Sequence, residues 1–119
     1  MDDNSEAFDQ ILNIINLHTG KENSITQNEL LVRLHQASYK LRYDIPNTRT
    51  LLRIIHEMRR IGYVIASSSE GYFKPVDMDE AKTYLSTVME SRAKDLLQTI
   101  RAQRRAIYRE YSGQIHMEE

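Results

Sequence analysis

Between Asn47 and Pro75 the spacing of apolar residues changes from helical to strand-like, and a glycine marks the change. Leu51, Ile54, Ile55, Met58 and Ile61 share one helical face at about 100° per residue. Asn47 stands where an N-cap belongs, and Gly62 where a helix closes in a left-handed conformation. "YVIA" and "GYFK" then flank "SSSE", two β-branched or aromatic runs around a turn. Pro75 ends the second run because it has no N–H to give a ladder. The stretch predicts a helix over 48–61 that runs into a β-hairpin over 63–74.

The elements around it are mostly helical. Phe8, Ile11, Leu12 and Ile15 give residues 6–18 an apolar face, with Asn4 or Ser5 as its cap and Gly20 as its stop. Thr26 and Glu29 form a capping box for a second helix over 26–38, whose apolar stripe is Leu30, Leu31, Leu34 and Ala37. In "YKLRYDIP", residues 39–46, Pro46 pushes Ile45 towards an extended backbone, and Leu41, Tyr43 and Ile45 alternate with Arg42 and Asp44. A short strand or extended turn is expected there. Residues 78–111 carry no helix breaker, start at a box made by Asp77 and Glu80, and would span about 50 Å at 1.5 Å per residue. Ser112–Gly113 are expected to end that helix. The expected organisation is a mainly α domain with a small β-hairpin over 1–76, a long C-terminal helix over 77–111, and a frayed tail over 112–119.

Charge narrows the function. The 119 residues are 40% hydrophobic and 28% charged, enough of each for a packed core and a solvated surface. The net charge is only −1, but it is unevenly spread. Residues 1–24 hold five acids against one base, residues 25–76 eight bases against four acids, and residues 77–119 seven bases against eight acids. A polyanion would therefore meet the middle segment. There is no cysteine, which excludes disulfides, thiolate metal sites and cysteine nucleophiles. No apolar run reaches membrane-span length, and "MDDNSEAFDQ" lacks the basic and apolar regions of a signal peptide, so a cytoplasmic location is expected.

Arg49, Arg53, His56 and Arg60 fall at i, i+4, i+7 and i+11, opposite the apolar face of the 48–61 helix. Arginine neutralises phosphate and can read guanine edges in a fork. Arg49 and Arg53, near the helix start, are the base-reading candidates; Thr48, Thr50, Arg60 and Lys74 are the phosphate candidates, joined by Asn47, Ser68 and Ser69. The plainer reading is a solvated face on which Glu57 pairs with Arg53 or Arg60. In the hairpin, Glu70 opposes phosphate, and Tyr72 and Phe73 point to opposite faces, one core and one exposed. Farther on, residues 92–109 carry Arg92, Lys94, Arg101, Arg104, Arg105 and Arg109 against Asp95 alone. Leu85, Met89, Ala93, Leu96, Ile100, Ile107 and Tyr111 recur there at three- and four-residue steps, interrupted at Gln103. That segment suits either a homodimer through residues 85–111 or a basic end laid on nucleic acid. His18, His35, His56 and His116 are scattered, and there is no glycine-rich phosphate loop. No catalytic residue, metal or cofactor is expected, and the protein is not read as an enzyme.

The order helix, helix, short extended piece, helix, hairpin resembles a winged helix-turn-helix domain over residues 6–75. The residues that carry the resemblance are "TQNELLVRL", "TRTLLRIIHEMRRIGY" and "VIASSSEGYFKP". The run "LRIIHEMRRIGYVIASSSEGYFKP", with "SRAKDLLQTIRAQRRAI" after it, further resembles small bacteriophage and prophage helix-turn-helix proteins of replication modules. The resemblance implies a third helix in the major groove and a wing on the neighbouring backbone or minor groove. It implies a double-stranded DNA-binding protein, a phage-type transcriptional regulator or a DNA replication accessory factor. The alternative is a winged-helix protein-interaction module, or an assembly protein that uses the long helix, with a phage or host protein as partner.

Overall fold

The computed structural model describes residues 5–118, with side-chain surroundings up to residue 112. Asn4, one of the two expected caps, and Glu119 lie outside the described residues. The chain is mainly helical, with one two-stranded antiparallel hairpin and a long C-terminal helix. It divides into two units, the first ending at Lys82 and the second beginning at Thr83.

In the first unit, α1 (Ser5–Ile15) buries Ala7, Phe8, Ile11, Ile14 and Ile15. It stops short of the expected residue 18 because the backbone tightens: Leu17 N–H donates to the Ile14 carbonyl at 3.1 Å and His18 N–H to that of Ile15 at 2.8 Å, both three-residue bonds. α2 (Gln27–Ala37) begins at Thr26, whose hydroxyl accepts from Glu29 N–H at 3.1 Å. Only half of the expected box forms, since the Glu29 carboxylate instead accepts from Arg33 at 3.1 Å. Leu30 and Leu34 are buried, Leu31 is half-buried and Ala37 is exposed.

Residues 39–46 depart from the expected strand. Leu41–Asp44 form one helical turn, α3. Leu41 and Ile45 are both fully buried, four residues apart, which a helical turn satisfies and a strand would also allow only on one face with Tyr43 beside them; Tyr43 is instead exposed. The proline acts on its immediate neighbour alone, and Ile45 takes φ −128° and ψ 75°. His35 donates a ring N–H to the Ile45 carbonyl at 2.7 Å and so pins α2 to the end of this turn.

α4 (Thr48–Arg60) buries Leu51, Ile54, Ile55 and Met58. Ile61, expected on that face, is its C-cap and is exposed. Beyond it Gly62, at φ 112°, donates to the Arg59 carbonyl at 3.1 Å, and Tyr63 N–H to that of Met58 at 3.0 Å. This pair of bonds is a Schellman closure. It engages residues 61–63, so the hairpin is shorter than expected: β1 (Ala66–Ser68) and β2 (Gly71–Phe73), joined by Ser69 and Glu70. Tyr72 and Phe73 are both buried, correcting the expectation that one faces water. Alternation predicts exposure only when one side of a strand is open, and both sides of β2 are covered.

A third segment explains part of that cover. Ile25 bridges Tyr72 in antiparallel fashion through two backbone hydrogen bonds of 2.8 Å, and Thr19 bridges Lys74 in parallel. The loop between α1 and α2 is thereby tied to the far side of the hairpin. Gly71, at φ 134°, permits the approach: a Cβ there would lie 2.0 Å from the Ile25 carbonyl oxygen. Ile25, Ile65 and Tyr72 join the buried faces of α1, α2 and α4 in one core cluster.

α5 (Met78–Tyr84) starts at Asp77, whose carboxylate accepts from Glu80 N–H at 2.9 Å, while Glu80 accepts from Val76 N–H at 2.7 Å. The second unit holds a π-helical segment, Leu85–Glu90, and α6, Ser91–Glu118. The single expected helix is thus interrupted by wider turns, where the Thr87 hydroxyl donates to the Thr83 carbonyl at 2.6 Å. Nor does the helix end at Ser112–Gly113. The helix span runs through Gly113, and a glycine inside a helix costs only about 1 kcal/mol.

Gly71→Ala is expected to destabilise the protein by roughly 2–4 kcal/mol, through a strained φ and the collision with Ile25. Leu34→Ala should cost about 3 kcal/mol by leaving a cavity. Denaturant unfolding measures both, and a neutral Gly71→Ala would mean that Ile25 does not approach β2.

Candidate nucleic-acid interface

The candidate surface is the outer face of α4. Asn47 is in extended conformation and its side chain accepts from Thr50 N–H at 2.9 Å. Its amide oxygen is engaged in starting the helix, and its NH2 is the group that could donate to a phosphate. With Leu51, Ile54, Ile55 and Met58 turned into the core, the 3.6-residue repeat leaves Arg49, Arg53, His56 and Arg60 exposed on the other side. The row runs about 16 Å along the axis at 1.5 Å per residue. Thr48 and Thr50 are half-buried beside its start.

Among the described residues, no carboxylate lies within 4.0 Å of Arg49, Arg53 or Arg60. Glu57 is exposed on the same helix yet pairs with none of them. The guanidinium groups are therefore solvated and available to an anion. Leu52, missed in the sequence reasoning, is 43% exposed beside them. Its signal was its place outside the buried stripe. It adds an apolar contact point to a cationic surface.

Arg59 has a different role from its neighbours. It is half-buried, its Nε donates to the Ile65 carbonyl at 2.8 Å, and its guanidinium lies over the Tyr72 ring at 5.7 Å from the centroid. It clamps the end of α4 to the hairpin. At about 100° per residue it falls at the edge of the buried stripe, four positions after Ile55, whereas Arg60 falls opposite that stripe.

The hairpin residues divide as well. The Ser68 hydroxyl accepts from Glu70 N–H at 3.1 Å and lies 3.3 Å from the Ser24 hydroxyl, so it is engaged within the fold. Ser69 is exposed and Lys74 half-buried. Lys74 is held by its backbone, donating to the His18 carbonyl and accepting from Gly20 N–H, each at 2.8 Å. Ser68, Ser69 and Glu70 line a groove of about 260 Å³ with Thr26, Gln27, Asn28 and Gly71. The hairpin tip is thereby brought beside the N-terminus of α2.

One more cluster sits in the turn before α4. Tyr39 and Tyr43 are exposed, their rings edge-to-face at 5.5 Å and their hydroxyls 3.1 Å apart, with Arg42 over the Tyr39 ring. The hydroxyl contact with Tyr39, helped by desolvation, holds the Tyr43 phenol above its ordinary pKa.

Comparison of the chain with protein-family models, with curated proteins and with solved structures finds no match.

Because the two arginines differ in surroundings, Arg53→Ala should change unfolding free energy by no more than about 0.5 kcal/mol, whereas Arg59→Ala should cost roughly 1–3 kcal/mol. Equal losses in chemical denaturation would show that Arg53 is not free.

Proposed function

We propose that the protein binds double-stranded DNA through α4, as a winged helix-turn-helix domain over residues 6–75. The observation that carries this reading is the row Arg49, Arg53, His56 and Arg60, exposed along one helix with no acidic partner among the described residues at its arginines. Phosphate neutralisation needs cations that the protein has not already satisfied. A helix is the element that fits the major groove, and its first turns carry base contacts. Arg49 and Arg53 read base edges; Thr48, Thr50 and Arg60 hold phosphates; Ser69 and Lys74 extend the contact from the wing. The element order, and the pairing of Ile25 with the hairpin, support the winged architecture.

The reading includes a second copy of the chain. Leu96, Leu97, Ile100, Ile107 and Tyr111 of α6 are exposed, and all but Leu97 fall close to a heptad seam. Two copies joined there would present two α4 helices to half-sites about one helical turn apart. The biological role is that of a phage-type transcriptional regulator or replication accessory factor in the cytoplasm. A protein-interaction module is the second reading. Its support is the exposed Tyr39, Arg42 and Tyr43 cluster, since tyrosine and arginine are the side chains that dominate protein interfaces.

Duplex binding is expected to weaken steeply with salt. Arg53→Ala should lower affinity about tenfold and flatten the salt slope by about 1. Fluorescence anisotropy across a salt series tests this. Absence of any duplex shift, with a protein partner retained at high salt, favours the second reading. Light scattering should return twice the chain mass, falling to one chain mass for Ile100→Asp.

A further inference from the structure

A second cationic surface lies on α6, in the unit that does not contain α4. Arg101, Arg104, Arg105, Tyr108 and Arg109 line one groove of about 430 Å³. At about 100° per residue they occupy roughly 140° of arc, and Lys94 falls in the same arc. The acids Asp95 and Glu110 fall outside it, and the apolar residues Leu96, Ile100 and Ile107 occupy the neighbouring face. All four arginines are exposed, and among the described residues no carboxylate comes within 4.0 Å of any of them.

This arrangement differs from an ordinary solvated helix face. Such faces interleave opposite charges at three- and four-residue spacing. Here Arg101, Arg105 and Arg109 stand at successive four-residue steps, where like charges destabilise a helix. A local rule broken without internal relief marks a surface shaped for a partner. Tyr108 says more about the partner's chemistry. It is 69% exposed in the middle of the arginines. A phosphate needs only the cations. A ring displayed among planar guanidinium groups suits something that is both anionic and flat. Nucleotides of a single strand expose base faces to stack, whereas a duplex hides them.

We infer that the Arg101–Arg109 face of α6 binds single-stranded nucleic acid, with the arginines on phosphates and Tyr108 stacked against a base. This site is separate from the duplex-binding surface of α4 and stands without it.

The test is anisotropy of a labelled oligothymidylate and of a mixed-sequence duplex, with the full chain. Replacing Arg101, Arg104, Arg105 and Arg109 together by alanine should cost the single strand at least about tenfold in affinity and flatten its salt slope by about 3. Tyr108→Ala should cost it about tenfold, and Tyr108→Phe, which keeps the ring, should restore binding. Arg49→Ala with Arg53→Ala should leave it unchanged. Circular dichroism of each variant confirms that the helix content is retained. The inference is overturned if Tyr108→Ala binds the oligonucleotide as well as the parent chain. It is also overturned if the α4 variant loses the single strand. A third overturning result is loss of binding to phosphatidylserine vesicles in the alanine variant with oligonucleotide binding intact, which would assign the face to a membrane surface.

Discussion

Two backbone hydrogen bonds join Ile25 to Tyr72, and the amino-terminal unit depends on them. A hairpin of three-residue strands is too short to stand alone in water. Here it is held at three places. Ile25 pairs with its second strand, the Lys74 backbone is fixed by His18 and Gly20, and Arg59 grips it from the end of α4. These ties turn the loop between α1 and α2 into a third partner of the sheet. They also set the direction of α4, whose buried face meets the same core that Ile25 and Tyr72 enter. The outward placement of Arg49, Arg53 and Arg60 is therefore a consequence of packing on the opposite side of the helix.

The cations of this chain serve distinct purposes according to what surrounds them. Arg59 is part of the scaffold, held by a carbonyl and a ring. Arg33 and Lys40 lie near carboxylates, in exposed pairs that contribute at most a fraction of a kcal/mol. The rows on α4 and α6 have neither kind of partner among the described residues. The near-neutral total charge conceals this, because the sum counts 17 acids against 16 bases without regard to which cations they pair with.

Much of this could be read from residue order. The buried stripe of α4, the Asn47 cap, the Gly62 closure and the Thr26 and Asp77 caps all follow from short-range rules, and the structure contains each. Where reading failed, a tertiary contact outweighed a local preference. Alternation over 41–45 suggested a strand, but Leu41 and Ile45 reach the core together from one helical turn. Tyr72 and Phe73 looked like a strand with one wet face, but the wet face does not exist. Arg59 was given no role by its spacing, and its partners came only with the folded hairpin. Gly113 looked like a stop, yet the helix span runs through it. Of the candidate site, the exposed row on α4 was legible because periodicity alone fixes which side of a helix faces out. The contact of Ser68 with Ser24 was not, because it depends on an atom brought near by folding.

The closeness of Gly71 to Ile25 has a bearing on how such a sequence can drift. Most of the core would accept one aliphatic group for another with little loss. Position 71 has no such latitude, since even one added carbon meets backbone rather than a movable side chain. Position 62 has little, because its φ disfavours every other residue. Two glycines nine positions apart, the first closing a helix that begins after an asparagine and the second opening a strand, are thus positions that mutation erodes slowly. A distant descendant that keeps this fold is expected to keep that interval.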